Sequence, residues 1–228
     1  MSRRDFKKNS HQLSEIESES DLKGKSHVKT FGEISPRVNA NYSLISSGGA
    51  RSQFQRIEIS EDLKKKLSKI KMLIMDVDGI LTDCRIFLEG EDQWRRQFSI
   101  RDGYGISRLI DSGYQTGIIT GSKAIDIEKR VNVLKIPHFY QGSLDKIPAF
   151  EKILEVTGLV PDEVAYMGDD LFDMPVLKKV GFAATVSDAM EDVIEIVDYI
   201  AQRPAGNGAV REVCDLIFSW GALRKGSV

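Results

Sequence analysis

From Lys71 onward, short apolar runs alternate with amphipathic stretches, and this alternation constrains the fold more than any other feature of the sequence. The apolar runs include KMLIMDV, QTGIIT, EVAYMG and FAATV, and the amphipathic stretches include GISRLIDSG, KAIDIEKRVNVL and DKIPAFEKILEVTG. Strands that alternate with helices form parallel sheets in which both faces are covered. The sequence therefore predicts an α/β fold with a doubly wound parallel sheet.

One insertion interrupts this alternation after the first strand. CRIFLE is followed by the turn-prone GEDQ and then by WRRQFSI, a pattern that predicts a β-hairpin. Trp94 stands beside Arg95 and Arg96 on this hairpin. We interpret this group as a contact between subunits rather than with nucleic acid, because a lone aromatic residue beside arginines is typical of protein interfaces.

The first 55 residues differ in composition from the rest of the chain. They are rich in Ser, Gly and Asn and have no sustained hydrophobic period, so they cannot bury enough surface to offset the entropy of ordering. We predict a disordered extension over 1–55, with an interaction arm as the alternative, and a folded domain over 56–228. Ser60 followed by EDLKKKL predicts an N-capped helix at the start of that domain.

Charge and cysteine content narrow the class of partner. Lys and Arg total 32 against 34 for Asp and Glu, so no strong field attracts nucleic acid or an anionic membrane, and a small molecule is the expected partner. Cys84 and Cys214 form no CxxC pair, which is typical of a reducing cytosol, and both are predicted to be buried. Since no apolar stretch approaches the length of a membrane span, we expect a soluble cytoplasmic protein.

Polar residues stand where the predicted strands end or the following helices begin. In open α/β sheets, ligands bind beyond the carboxyl ends of the strands, so these residues are the candidates for chemistry. Three acids, one supporting acid, a hydroxyl and an ammonium are expected to converge there, namely Asp76, Asp78, Asp169, Asp170, Thr120 and Lys146.

These residue types together favour phosphoryl transfer. Closely set carboxylates repel one another unless a cation holds them, and hard oxygen ligands favour Mg²⁺, so Asp76 and Asp169 are the expected ligands. Lys146 and Thr120 would bind a phosphoryl group. Asp76 is the candidate nucleophile, and Asp78, two residues later, is the candidate acid that protonates the leaving alkoxide and then activates water.

Each element has an ordinary explanation when it is taken alone. A DxD sequence is commonly a turn or a cap, Lys146 can be a surface lysine, and Asp169 with Asp170 can cap a helix. The order of the elements, with each one at a strand end or a helix start, favours a shared site over coincidence.

The same elements resemble the haloacid dehalogenase superfamily of aspartate-nucleophile phosphatases. The resemblance implies that Asp76 is the nucleophile and a Mg²⁺ ligand, that Asp78 is the acid and base with its backbone carbonyl on the metal, and that Asp169 is the third ligand. Asp170 would support this site. The hairpin is too small for a cap domain, so the resemblance implies a capless Rossmann-like fold, and a hairpin edge that can pair implies a homotetramer.

Residues 70–221 are similar, more narrowly, to the 3-deoxy-D-manno-octulosonate 8-phosphate phosphatase family. The matching stretches are DVDGILTD, IRDGYGI, IITG, YQGSLDK, VAYMGDDLFDMPVL and GNGAVREVCDLI. The family implies a role in lipopolysaccharide precursor synthesis, with GNGAVRE closing a neighbour's site. It also implies a group of residues around the sugar acid phosphate, namely Ser99, Ile100, Arg101, Asp102, Gly103, Ser122, Arg130 and Lys146.

Two positions depart from the family pattern. Family members commonly have a basic residue at the position of Ser107 and an arginine at that of Ser122, and both positions are expected to face the anionic sugar acid. Arg108 or Lys123 is a candidate to compensate. The alternatives are therefore a phosphatase of a nine-carbon sialic-type sugar acid phosphate, a protein phosphatase, and an assembly protein that kept the fold without activity.

Overall fold

The computed structural model describes residues 42–44, 57–90 and 93–223. Within the predicted extension, the backbone of Tyr42–Leu44 forms strand β1, which pairs antiparallel with β2 (Ile57–Ile59). The rest of residues 1–55 lies outside the described residues, so the disordered extension stays a prediction. None of the helices in the described parts of the chain has the length and apolar character that a membrane crossing requires.

A six-stranded parallel sheet forms the centre of the fold. Its strands, in chain order, are β3 (Met72–Met75), β6 (Gln115–Thr120), β7 (His138–Gln141), β8 (Val164–Met167), β9 (Phe182–Val186) and β10 (Tyr199–Ala201). Their order across the sheet is β10-β9-β8-β3-β6-β7, so β3 lies between β8 and β6. This order brings the carboxyl ends of β3, β6 and β8 together, as the sequence predicts.

Helices cover both faces of this sheet. They are α1 (Glu61–Leu67), α2 (Ile100–Asp111), α3 (Ile125–Leu134), α4 (Ile147–Thr157), α5 (Met174–Leu177), α6 (Glu191–Ile194) and α7 (Ala209–Trp220). Successive residues of β3 enter different cores, because Leu73 and Met75 belong to one buried cluster and Met72 and Ile74 to the other. This alternation follows from the period of two in a strand, and it confirms the doubly wound α/β fold.

The first helix and the contact between α2 and α7 position the surroundings of the site. Ser60 caps α1, since its hydroxyl accepts from the Leu63 N–H at 3.2 Å, which confirms the predicted N-cap. Helix α2 packs against α7 at Gly105, where a Cβ atom would lie 2.8 Å from the Cδ of Arg211. A larger residue at Gly105 would therefore push the two helices apart.

The predicted hairpin is present after the first central strand. Strand β4 (Phe87–Glu89) pairs antiparallel with β5 (Gln93–Arg95), outside the central sheet. The described residues between Asp76 and α2 form this hairpin and no cap domain. The hairpin exposes large apolar side chains, namely Ile86, Phe87, Leu88 and Trp94.

The two cysteines lie in different environments. Cys214 is buried in α7, as predicted, whereas Cys84 is exposed, so the prediction that both are buried is wrong for Cys84. Cys84 belongs to the loop that leads from β3 to the hairpin, beyond the layers that cover the sheet. Its φ of 62° is in the left-handed region, which is uncommon for a residue with a Cβ atom.

Candidate active site

The carboxyl end of β3 places Asp76 between its two neighbouring strands. The Asp76 N–H donates to the Met167 carbonyl of β8 at 2.9 Å, which continues the ladder by one residue beyond the strand. The Asp76 side chain is 3% exposed. A carboxylate in this position is held by the backbone of the sheet and shielded from bulk water.

Lys146 meets Asp76 from the start of α4. Its ammonium Nζ lies 3.0 Å from Asp76 Oδ2 and 2.5 Å from Asp173 Oδ1, and the lysine is itself buried. The ring of Phe172 lies 4.8 Å from the same Nζ. A buried ammonium is stable only when it is paired, so these contacts fix Lys146 beside the candidate nucleophile.

Asp173 is a member of this cluster that the sequence reasoning missed. Its carboxylate accepts from the Tyr166 hydroxyl at 2.6 Å and from the backbone N–H groups of Asp169 and Asp170 at 3.1 and 3.2 Å. Together with Lys146, these donors use both of its oxygens. The available sequence evidence was that a lysine predicted to be buried needs a buried acid, and Asp173 is the next acid after the Asp169-Asp170 pair.

Asp169 lies at the end of β8 with one oxygen unused. Among the described residues, no donor lies within hydrogen-bond distance of its buried Oδ1. Gly79 packs directly against this carboxylate, because a Cβ atom on Gly79 would lie 2.0 Å from Asp169 Oδ2. The neighbouring Asp170 instead caps the following turn, accepting from the Leu171 N–H at 2.6 Å.

Burial and mutual repulsion perturb two of these acids. Burial raises the pKa of Asp76 to about 7, although the ammonium of Lys146 opposes the shift and Asp173 adds to it. Burial also raises the pKa of Asp169 to about 8, with further repulsion from Asp76, Asp173 and Asp170. One ammonium therefore does not balance the negative charge that these acids carry when all are ionised.

The same acids fit a divalent cation. Asp76, Asp169 and Asp173 each offer a carboxylate oxygen, and these oxygens lie within 4.8 Å of one another. Asp173 is the least suited to be a ligand, because its oxygens already accept from Lys146, Tyr166 and two backbone N–H groups. The unpaired Oδ1 of Asp169 and the raised pKa values of Asp76 and Asp169 both point to a hard cation between these two residues.

Asp78 faces a different set of partners. Its side chain is 33% exposed, and both of its oxygens accept from Arg96, at 2.6 Å from Nε and 3.0 Å from Nη2. Thr82 lies nearby, with its hydroxyl 3.4 Å from Asp78 Oδ1. Hydrogen bonds from Asp78 raise the pKa of Arg96 above its ordinary value. The candidate acid is thus held by a guanidinium from the hairpin.

Arg96 and Asp126 extend this arrangement, and the sequence reasoning assigned neither of them to the site. Arg96 Nη2 donates to the Ser122 hydroxyl at 3.1 Å, and Nη1 donates to Asp126 Oδ1 at 3.4 Å. The Arg96 backbone N–H also donates to Asp126 Oδ2 at 2.9 Å. Sequence spacing gave no indication of this, because the hairpin folds back over 26 to 30 residues to reach Ser122 and Asp126.

Thr120 lies at the end of β6, beside β3. It is buried, and its Oγ1 accepts from the Ser122 N–H at 3.2 Å. Because that oxygen accepts from the backbone, its own proton remains available to a ligand oxygen. The structure thus places Asp76, Asp78, Thr120, Lys146 and Asp169 at one edge of the sheet, as the sequence predicts.

Three of the predicted substrate residues lie together where α2 begins. The Arg130 guanidinium Nη2 donates to the Ser99 carbonyl at 2.9 Å, and burial lowers the pKa of Arg130. Gly103 accommodates this guanidinium, because a Cβ atom there would lie 2.3 Å from Arg130 Nη2. Arg130 therefore supports the turn that ends in Ser99.

Other predicted substrate residues point elsewhere. Asp102 is buried against the start of α7, where its carboxylate accepts from the Gly208 and Arg211 N–H groups at 3.1 and 2.7 Å. Its side chain therefore anchors α7 to α2. Ile100 and Arg101 are exposed, and Arg101 lines a separate cleft of about 850 Å³ whose walls include neither Asp76 nor Asp169.

The two candidates to compensate for Ser107 and Ser122 are engaged elsewhere. The Arg108 Nη1 donates to Asp215 of α7 at 2.9 Å, and its guanidinium lies 3.5 Å from the centre of the Phe218 ring. The Lys123 side chain lies against Gly142, where a Cβ atom would be 2.0 Å from Lys123 Cε. The guanidinium that reaches Ser122 is that of Arg96.

Comparisons with known proteins agree with this geometry. A family model described as haloacid dehalogenase-like hydrolase matches residues 135–213. The 3-deoxy-D-manno-octulosonate 8-phosphate phosphatase of Escherichia coli (strain K12) is 44% identical over 159 residues, which are 70% of this chain and 85% of that protein.

Two solved structures are similar over most of the domain. The phosphatase of the same name from Yersinia pestis matches with a TM-score of 0.72 and 37% identity, covering 82% of this chain and 97% of that one. The one from Moraxella catarrhalis, in complex with a magnesium ion, a phosphate ion and a KDO molecule, matches with a TM-score of 0.68 and 37% identity, covering 71% and 92%.

Proposed function

Because this chain belongs to the 3-deoxy-D-manno-octulosonate 8-phosphate phosphatase family of haloacid dehalogenase-like hydrolases, we propose that it hydrolyses that phosphate monoester to the free sugar acid and phosphate. The protein is an enzyme, a Mg²⁺-dependent phosphatase. The observation that carries the proposal is the cluster of Asp76, Lys146 and Asp169 at the carboxyl end of β3, with Asp78 beside it.

The first chemical step falls to Asp76. Lys146 holds Asp76 Oδ2 at 3.0 Å, so the carboxylate is fixed in orientation before any substrate arrives. An oxygen of Asp76 attacks the phosphorus, and the bond from phosphorus to the sugar oxygen breaks. Asp78, in its protonated form, gives its proton to that departing oxygen. The product of this step is an aspartyl-phosphate on Asp76 together with the free sugar acid.

The second step returns the enzyme to its starting state. Asp78, now ionised, removes a proton from a water molecule, and the resulting hydroxide attacks the phosphorus. The bond between phosphorus and Asp76 breaks, and inorganic phosphate leaves. Thr120 and Lys146 are placed to bind phosphoryl oxygens during both steps, through a hydroxyl proton and a positive charge.

The residues that would hold Mg²⁺ follow from the contacts of the site. Asp76 and Asp169 supply carboxylate oxygens, and the backbone carbonyl of Asp78 is the proposed third protein ligand. A bound Mg²⁺ supplies positive charge that offsets the repulsion between these acids and the charge of the phosphoryl group. Asp173 anchors Lys146 and the turn after β8, and Asp170 caps that turn.

The wider setting is also part of the proposal. We propose a cytoplasmic homotetramer that serves lipopolysaccharide precursor synthesis, with exposed hairpin side chains such as Phe87 and Trp94 as subunit contacts. A nine-carbon sialic-type sugar acid phosphate is the second candidate substrate, because Ser107 and Ser122 stand where the family commonly has basic residues. An assembly role without activity is disfavoured, since such a protein has no need of mutually repelling buried carboxylates.

Phosphate release by the purified protein with Mg²⁺ tests the proposal. The substrates are 3-deoxy-D-manno-octulosonate 8-phosphate, a nine-carbon sialic-type sugar acid phosphate and p-nitrophenyl phosphate, with Asp76→Asn as the inactive control. We expect the highest kcat/KM on the first. A preference for the second would replace the substrate but keep the chemistry, and no release from any of them would leave the assembly role.

A further inference from the structure

Arg96 occupies a position that the proposed chemistry does not yet use. It lies immediately after β5 of the hairpin, and its side chain is 8% exposed although the hairpin itself is mostly exposed. Three of its hydrogen bonds go to Asp78 and Ser122, and two more go to Asp126. An arginine so fully paired contributes through the groups it holds rather than through free donors.

The contact with Asp78 fixes the plane of that carboxylate. Nε binds one oxygen and Nη2 binds the other, which is the bidentate geometry that a guanidinium makes with a carboxylate. Each oxygen of a carboxylate has a second lone pair, on which a proton can be carried to or from a reacting oxygen. Arg96 can therefore hold Asp78 in place without blocking its part in proton transfer.

Asp126, in turn, fixes Arg96. Its carboxylate accepts from the Arg96 backbone N–H at 2.9 Å and from Nη1 at 3.4 Å, and it also accepts from the Ile127 N–H at 2.9 Å. The Asp126 side chain is 10% exposed and belongs to the first turn of α3. Both the backbone and the head group of Arg96 are thus tied to the central domain.

We propose that Arg96, held by Asp126, is the positioning residue that orients Asp78 toward the oxygen of the leaving group. This rests on the proposed function, because it assigns the orientation of the acid in that reaction. The hairpin then has a second role besides its exposed apolar face: it carries the group that sets the direction of proton transfer.

The dependence of the rate on the leaving group tests this proposal. The value of kcat/KM reports the steps up to formation of the aspartyl-phosphate, so it reflects proton donation to the sugar alkoxide. A p-nitrophenolate needs almost no proton to depart. A residue that acts through Asp78 should therefore affect hydrolysis of the sugar phosphate far more than hydrolysis of p-nitrophenyl phosphate.

The variants are Arg96→Gln, Arg96→Lys and Asp126→Asn, with Arg95→Gln as the matched control. Arg95 is adjacent in sequence but pairs with Glu89 inside the hairpin, at 2.7 Å. We expect Arg96→Gln to lower kcat/KM by about 100-fold on the sugar phosphate and by less than about 5-fold on the aryl phosphate. Arg96→Lys and Asp126→Asn should show the same selectivity at about 10-fold, and Arg95→Gln should stay within about 2-fold on both.

Two outcomes would overturn the proposal. Equal losses on both substrates would mean that Arg96 supports the fold or phosphate binding, and unchanged or faster hydrolysis of the sugar phosphate would mean that Asp78 needs no such support. If Arg96→Gln does not fold, the Arg96→Lys and Asp126→Asn comparison decides on the same criterion.

Failure of the proposed function has a different signature. If the wild type rejects the sugar acid phosphate but hydrolyses the aryl phosphate and a simple alkyl phosphate such as glycerol 3-phosphate, only the substrate proposal fails. The leaving-group comparison then proceeds with glycerol 3-phosphate. If the wild type hydrolyses none of the three, both proposals fail.

Discussion

The two acids that follow β3 stand in contrasting environments although they are two residues apart. The Asp76 side chain is 3% exposed and lies among other carboxylates and one ammonium, whereas the Asp78 side chain is 33% exposed and is clamped by a guanidinium. The central sheet and α4 hold the first, and the hairpin holds the second. The residue proposed to form a covalent bond is thus fixed by the core of the fold, and the residue proposed to move protons is fixed by a peripheral element.

The contrast should be sharpest in single turnovers of the two asparagine variants. We expect Asp76→Asn to lower kcat by at least about 10⁴-fold, because the amide is not a nucleophile, and Asp78→Asn to lower it by about 10² to 10⁴-fold. With p-nitrophenyl phosphate, Asp78→Asn should release nitrophenolate in a burst and then stall, since its aspartyl-phosphate is hydrolysed slowly. Asp76→Asn should give no burst. Steady hydrolysis by Asp76→Asn would exclude the covalent mechanism.

The buried cluster should also matter more for stability than the exposed clamp. Asp173→Asn leaves the Lys146 ammonium with one carboxylate partner and weakens the bonds from Tyr166 and two backbone N–H groups. We expect the free energy of unfolding to fall by about 3 kcal/mol, measured by urea denaturation with a chelator present. The matched variant Asp170→Asn changes a nearby capping acid and should cost less than about 1 kcal/mol. Equal losses would contradict the central role given to Asp173.

The buried cluster predicts a pH dependence that the clamp does not. The pKa values of Asp76 and Asp169 are raised to about 7 and about 8, so the folded protein binds more protons than the unfolded chain between about pH 4 and pH 8. Without metal, stability should therefore fall as the pH rises through this range, by up to about 1.4 kcal/mol per pH unit for each group.

Thermal unfolding at pH 5, 6, 7 and 8, with and without Mg²⁺, measures this effect. Because Mg²⁺ binds the ionised carboxylates, added Mg²⁺ should stabilise the protein most at pH 8 and least at pH 5. The Asp169→Asn variant should show a flatter profile without metal. A wild type that gains stability from pH 5 to pH 8 without metal would contradict the raised pKa values.

The contrast also explains how far the sequence alone could lead. The alternating pattern predicted the doubly wound sheet, and the ends of its strands identified Asp76, Thr120 and Asp169, because strand order and strand ends follow from local periodicity. Lys146 was identified in the same way, from the start of α4. These residues depend on the central sheet, whose geometry varies little once the strand order is known.

The partners of Asp78 were beyond such reasoning. Arg96 reaches Asp78 and Ser122 only because the hairpin folds back over the site, and no local period encodes that path. Asp102 was assigned to the substrate from a resemblance, but the structure turns its carboxylate to the start of α7. Cys84 was misjudged for a related reason, since it lies in the loop that leads to the hairpin.

The smallest effect is expected for Ser122→Ala, which trims the clamp without removing it. The change removes the hydroxyl that accepts from Arg96 Nη2 at 3.1 Å and from the Ala124 N–H at 3.3 Å, while the two bonds from Arg96 to Asp78 remain. Stability should fall by less than about 1 kcal/mol, and kcat/KM on the sugar phosphate should change by less than about 3-fold. A loss as large as that of Arg96→Gln would instead mean that Ser122 itself contacts the substrate, so this variant separates a serine that supports Arg96 from one that binds the sugar acid.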